Sequence, residues 1–130
     1  MTDANRLHDE AIVIDATCPL LTEDDTHLDL YCKGGFTAVA PTVRANTGTS
    51  ADAIVQFGYW NRRARERSDL VLVRKASDIE AAKAAGKIGV ILHFQGTEPL
   101  DRSVDIIDAY HALGLRDHVD HFIPAQAQAF

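Results

Sequence analysis

Cysteine is scarce in this sequence. Cys18 and Cys32 are the two present among 130 residues, and they do not form a CxxC pair. Two such residues cannot staple a disulfide scaffold or build a four-thiolate zinc site, so a reduced, cytoplasmic protein is expected. Long apolar runs are missing as well. None approaches the ~20 residues that span a bilayer, and residues 1–10 are polar where a signal peptide would carry its apolar stretch. No membrane segment is expected. Positive charge is in deficit, with 13 Lys and Arg against 19 Asp and Glu and a net charge of −6. That balance argues against a nucleic-acid partner. The basic cluster Arg62, Arg63, Arg65 and Arg67 is interrupted by Glu66 and reads as a solvated helix face. There is no P-loop, no GxGxxG and no GxSxG, so nucleotide-binding and serine-hydrolase readings lack support.

What is present is the balance of a globular domain: 46% hydrophobic and 25% charged residues, in a length that can bury a core. Residues 3–10 predict a short helix. Ala11-Ile12-Val13-Ile14-Asp15 is an apolar run ending in a carboxylate, the pattern of a strand covered on both faces. Residues 17–25 are polar, broken by Pro19, and read as a loop. Residues 27–33 predict a helix stopped by Gly34-Gly35. A second strand is expected over 36–43, with Pro41 marking its end. Ser50 stands as the N-cap of a helix running to about Arg67, with Ile54, Phe57, Gly58 and Asn61 at helical spacing. Residues 70–73 predict a third short strand. Ser77 and Glu80 form the pattern of a capping box that opens a short helix ended by Gly86. Residues 87–93 predict the fourth strand, a loop follows at 96–100, and a helix over 103–113 is closed by Gly114. Strand, loop and helix alternate about every 25–30 residues, the rhythm of βαβ units.

In such folds chemistry collects at the C-terminal ends of the strands. The first strand delivers Asp15, then Thr17 and Cys18; the second delivers Thr42 and Arg44; the fourth delivers His93, Gln95 and Glu98. Asp15 reads equally as a metal ligand and as a loop-anchoring carboxylate. Cys18 has no partner at ligand spacing and reads as a buried, inert thiol. His93 and Glu98 are a candidate metal-ligand or acid–base pair. His118 and His121 lack the helical spacing of an HExxH site and read as solvated, and Tyr59 and Trp60 read as packing residues.

Residues 86–96, Gly-Lys-Ile-Gly-Val-Ile-Leu-His-Phe-Gln-Gly, resemble a strand and loop of the membrane (renal) dipeptidases, which run roughly GKIAVxxGxEGG. His111-Ala112-Leu113-Gly114-Leu115-Arg116 is similar to that family's LGVR step into its next strand. Ile12-Val13-Ile14-Asp15 sits where the family has its DGHND strand end, and Ser77-Asp78-Ile79 and Gly34-Gly35 also fit. The resemblance covers the chain to about Arg116. It implies the N-terminal half of a (β/α)8 TIM-type barrel, with parallel strands alternating with helices. It also implies a hydrolase that cleaves dipeptides with two zinc ions bridged by a carboxylate, the metals making hydroxide and polarising the scissile carbonyl. Asp15 and Gln95 occupy the implied metal positions. The family's HxD pair falls on Thr17 and Pro19, and its bridging glutamate on Gln95, an amide without the charge two cations need. Its later histidine ligands would fall beyond Phe130.

A TIM barrel needs roughly 250 residues, so four strands amount to half of one, with parallel edges left open. The expected organisation is a partial barrel over 1–116 and an atypical tail over 117–130, where polar Asp117-His118-Val119-Asp120-His121 replaces the apolar strand due next. Three functional expectations follow. The first is a dipeptidase-like, zinc-dependent hydrolase of a small peptide or amide, here truncated, with an incomplete metal site and inactive alone. The alternative is a non-catalytic α/β binding or assembly module, a metal-free homo-oligomer that covers its open sheet. A small α/β enzyme with Asp15, His93 and Glu98 as its own site ranks last, for want of a compact acid–base or nucleophile motif.

Overall fold

The computed structural model of the chain describes residues 3–18, 21, 25–44 and 48–118. Helix α1 (Asp3–Glu10) leads into β1 (Ile14–Cys18), α2 (Asp25–Lys33), β2 (Ala38–Arg44) and the long α3 (Ser50–Glu66). Then come β3 (Leu70–Leu72), α4 (Ala76–Ala84), β4 (Ile88–Val90), β5 (Leu92–Phe94), a 3-10 turn (Glu98–Leu100), α5 (Ile106–Leu113) and β6 (Leu115–His118).

Every strand ladder is parallel. β2 pairs with β1 on one side and with both β4 and β5 on the other. β4 and β5 are one strand interrupted at Ile91, whose N–H still donates to the Val39 carbonyl at 2.9 Å. β3 flanks β4, and β6 flanks β5, on the side away from β2. The barrel order is therefore β1, β2, β4/β5, β6, with β3 as an accessory rung. This is the half-barrel that the sequence resemblance implies: four of the eight strands of a TIM-type barrel.

Five local expectations change. Residues 70–73 do not supply the third barrel strand; β2 takes β4 as its neighbour, and Leu115–His118 supplies the fourth strand. β1 starts at Ile14 and is not covered on both faces, because Ile14 and Ala16 on one face of the strand stay exposed, as does Ile12 before it. Pro41 does not end β2 but lies buried inside it, opposite Cys18, where the β1–β2 register shifts. A proline has no N–H for the ladder, so the irregularity sits where the pairing is broken anyway. The cap of α3 is Thr49: its hydroxyl accepts from the Asp52 N–H at 3.3 Å, and the Asp52 carboxylate accepts from the Thr49 N–H at 2.8 Å. Asp78 likewise opens α4, accepting from the N–H groups of Arg74 and Lys75 in place of the Ser77–Glu80 box. As for the expected tail, Asp117 and His118 belong to β6, and residues 119–130 lie outside the described residues.

The core forms between the sheet and the helices that cover it. β2 is buried from Ala38 through Val43. Phe94 of β5 meets Phe57 of α3 edge-on at 5.7 Å and Tyr110 of α5 at 4.9 Å, while Phe57 and Tyr110 stack at 5.5 Å. The Tyr110 hydroxyl donates to the Pro99 carbonyl at 2.7 Å, which ties the 3-10 turn to this cluster. Trp60 lies in the same core with Tyr59 against it at 5.4 Å, so both are packing residues. At Gly89 an added Cβ would come within 2.9 Å of a Val73 methyl, and this close approach lets β3 lie against β4.

The residues that carry the family resemblance are mostly fold grammar. Gly86 ends α4 at φ +64 and turns the chain into β4. Gly114 ends α5 at φ +122, beneath the Arg74 guanidinium, which donates to the Ala112 carbonyl at 3.1 Å. Arg116 then reaches back, donating to the Arg74 carbonyl at 2.6 Å and the His111 carbonyl at 2.8 Å. The leucine–glycine–leucine–arginine step is thus a helix stop with its free carbonyls satisfied by arginines.

Candidate functional site at the strand ends

Parallel strands bring their C-terminal residues to one rim, so Thr17, Cys18, Thr42, Arg44, His93 and Gln95 gather on the same side of the sheet. Asp15 is half-buried and stands second in β1, three residues short of the strand's C-terminal end at Cys18 and not at the strand end that the sequence suggests. Its Oδ2 accepts from the Tyr31 hydroxyl of α2 at 2.5 Å, and its Oδ1 accepts from the Thr17 N–H at 3.1 Å. Partial burial opposes the carboxylate, but the bonds from Tyr31 and Thr17 outweigh it, so the Asp15 pKa lies below its ordinary value. The same bond to Asp15, together with burial, holds the Tyr31 phenol well above its usual range. Both groups are fixed: an ionised acceptor and a neutral donor.

Cys18 is 3% exposed, and burial pushes its thiol up to about 11. It is the inert thiol that the sequence suggests. Beside it a cleft of about 390 Å³ opens between β1 and α2, walled by Thr17, Cys18, His27, Leu30, Tyr31 and Phe36.

His93 is fully buried and sits in register with Thr42 on one side and Asp117 on the other. Its Nε2 lies 3.1 Å from the Thr42 hydroxyl and its Nδ1 lies 3.2 Å from the Phe94 carbonyl. A carbonyl only accepts, so Nδ1 carries the proton in that bond, while the Thr42 hydroxyl can donate to Nε2 or accept from it. Gln95 leaves the strand with its N–H donating to the Arg44 carbonyl at 2.9 Å. Glu98 is exposed on the 3-10 turn. Among the described residues no three His, Cys, Asp or Glu side chains come together as a metal site.

The partners of Asp15 and His93 escape a reading of the sequence alone. Tyr31 lies 16 residues from Asp15, and Thr42 lies 51 from His93. The Thr42 pairing becomes visible once β2 and β5 are set side by side in parallel register. The arginine cluster also reads differently in three dimensions. Arg62 pairs loosely with Glu66 on the surface, but Arg63 binds Asp25, and Arg67 forks onto Asp69 at 2.6 and 3.0 Å while holding Asp29 at 2.8 Å. These bonds clamp α2, α3 and the approach to β3. His118 ends β6, and His121 and Pro19 lie outside the described residues.

The zinc centre implied by the resemblance does not fit the donors on this rim. Asp15 is held by Tyr31 and Thr17, both His93 nitrogens are engaged in the interior, and among the described residues no third His, Cys, Asp or Glu joins either as a ligand set. At the positions of the family's histidine and bridging glutamate stand the Thr17 hydroxyl and the Gln95 amide, and divalent zinc favours thiolate, imidazole and carboxylate over both.

The chain is similar to several solved structures. An amidohydrolase from Pseudomonas aeruginosa matches 90% of it at 27% identity with a TM-score of 0.81. A metallo peptidase from Rhodobacter sphaeroides, liganded with a phosphinate mimic of the dipeptide L-Ala-D-Ala, matches 82% at 18% identity with a TM-score of 0.67. The probable dipeptidase PvdM from Pseudomonas aeruginosa matches 93% at 14% identity with a TM-score of 0.75. The chain spans 36%, 44% and 37% of those three chains, under half of each. No protein of curated function matches it in sequence. The family profile described as membrane dipeptidase (Peptidase family M19) matches residues 1–118, which takes in every described strand and helix. The chain belongs to the membrane dipeptidase family.

Proposed function

We propose that this chain forms the N-terminal wall of a dipeptidase-like hydrolase of small peptide or amide substrates, and that by itself it neither completes a metal centre nor turns substrate over. One observation carries this reading. The rim is polar, as a site for a small amide requires, yet its two candidate ligands are bonded to neighbouring protein groups: Asp15 to the Tyr31 hydroxyl and the Thr17 N–H, His93 to the Thr42 hydroxyl. Thr17 and Gln95 are neutral hydrogen-bonding groups that suit a peptide's amide better than a cation. The dipeptide mimic on the Rhodobacter sphaeroides metallo peptidase supports a substrate of dipeptide size. The test is hydrolysis of a dipeptide panel by the purified chain, with and without added zinc. No turnover above the protein-free rate is expected in either condition. Zinc-dependent turnover that His93→Ala abolishes would show that the chain holds a complete site.

A further inference from the structure

Arg44 is the one fixed cation among the six rim residues, and the bonds that hold Asp15 and His93 do not use its guanidinium. It is the last residue of β2. Its backbone is tied to the neighbouring strand end, paired in register with Phe94 and accepting from the Gln95 N–H at 2.9 Å. The side chain therefore starts from the sheet and not from the loop that follows it.

Two neighbours place the guanidinium. Gly48 lies against it: the backbone there has φ +115, and an added Cβ would come within 2.6 Å of the Arg44 Cζ. Glycine at 48 thus serves the turn and leaves the guanidinium its position. The second neighbour is Asp52 in the first turn of α3, whose Oδ2 lies 3.5 Å from an Arg44 Nη. That oxygen already accepts from the Thr49 N–H at 2.8 Å and from the Thr49 hydroxyl at 3.0 Å, so its hold on Arg44 is long and shared. The Arg44 Nε is buried without an acceptor, while the side chain as a whole stays 32% exposed. A guanidinium carries five N–H donors in a planar fork that matches a carboxylate two at a time. One long ion pair leaves most of them unused. A guanidinium seated by packing has also lost part of its freedom before a ligand arrives, which lowers the entropic cost of binding.

We propose that Arg44 anchors a substrate carboxylate, so that the rim takes small peptides or amides carrying a free carboxylate in preference to neutral ones. The inference rests on reading the rim as a site for small amides. Thr17 and Gln95 supply neutral hydrogen-bonding groups for the amide, and Arg44 supplies the charge that selects among amides.

Two probes with the same amide and different ends test it: N-acetylglycine, which has the carboxylate, and N-acetylglycinamide, which lacks it. Each is titrated into the purified chain while the Arg44 Nε–H resonance and the backbone amides of Thr17, Thr42 and Gln95 are followed. N-acetylglycine is expected to shift the Arg44 resonance saturably and to bind at least about tenfold more tightly than the amide, the worth of one charge-assisted pair. Arg44→Gln is expected to remove that difference, and Arg44→Lys to restore little of it, because an ammonium cannot fork onto both oxygens. Gly48→Ala keeps the cation but displaces it, and is expected to weaken N-acetylglycine binding with Arg44 still present. The comparison of the two probes on the parent chain needs no variant to fold. Equal binding of both probes would overturn the role of Arg44 and leave the amide-binding rim standing. A preference for N-acetylglycine that survives Arg44→Gln would overturn it as well. If neither probe moves any rim resonance, the reading of the rim falls together with the proposal.

Discussion

A single hydroxyl decides what Asp15 is. The Tyr31 bond turns a β1 carboxylate that could ligate a metal into an anchor for the strand backbone at Thr17. Tyr31→Phe removes that donor and is expected to cost about 1 kcal/mol at neutral pH, a charge-assisted bond discounted for partial exposure. The pH dependence follows from the direction of the shift. A carboxylate held below its unfolded pKa of about 3.9 adds stability above that value and loses it as pH falls through the lower folded value. The deficit of Tyr31→Phe should therefore be greatest near neutrality and should narrow below about pH 3, which urea unfolding at a series of pH values would show. A deficit that stays constant with pH would mean that Tyr31 acts through packing alone. Gly89 is a second residue with a stated role. Gly89→Ala pushes a methyl against Val73 at 2.9 Å and is expected to destabilise by about 1–3 kcal/mol as overpacking, read from the denaturation midpoint. Of these residues the sequence makes Asp15 legible as a carboxylate of the first strand, although the strand runs on to Cys18. It does not reveal Tyr31, because a contact between a strand and the helix after it depends on how that helix is turned.

At the scale of elements, the apolar runs and glycine stops in the sequence identify nearly every helix and strand, since both depend on local chemistry. The caps are less legible: threonine, serine and aspartate stand close together at 49–52 and 77–78, and hydrogen-bond geometry picks Thr49 and Asp78 among them. Thr49→Ala is expected to cost about 1 kcal/mol by opening the box at the start of α3. The larger element-level device is Arg67, which joins α2 and α3 to the approach of β3 through Asp29 and Asp69. Arg67→Ala is expected to cost about 1–2 kcal/mol, less than a buried pair because its partners are nearly half exposed. Arg67→Lys should recover only part of this, because a lysine cannot fork onto both oxygens of Asp69. Thermal denaturation of the two variants at low and high salt would check both the ranking and the screening. A lysine variant as stable as the parent would rule out the bidentate bond as the source.

Across the whole molecule, the βαβ rhythm makes parallel architecture legible, and the half-barrel follows from it. Spatial order does not follow in the same way. Residues 70–73 and 115–118 are both short, and nothing in their side-chain pattern says which pairs within the barrel and which lies beside it. Hydrogen bonding to β4 and to β5 decides that. Polar Asp117 and His118 also hide β6, because a strand whose backbone is held by a neighbour needs little apolar patterning of its own. The rim is legible as a set of positions and not as a set of pairs, and the pairs determine its chemistry. Whether this rim satisfies itself or awaits a cation therefore decides what it can do. A zinc titration of the purified chain, followed by calorimetry and by the backbone amide resonances of Asp15, His93, Gln95 and Glu98, measures this directly. Heats of dilution alone and unmoved resonances are expected. Saturable one-to-one binding that shifts those resonances, and that Asp15→Asn or His93→Ala removes, would contradict a rim that satisfies itself.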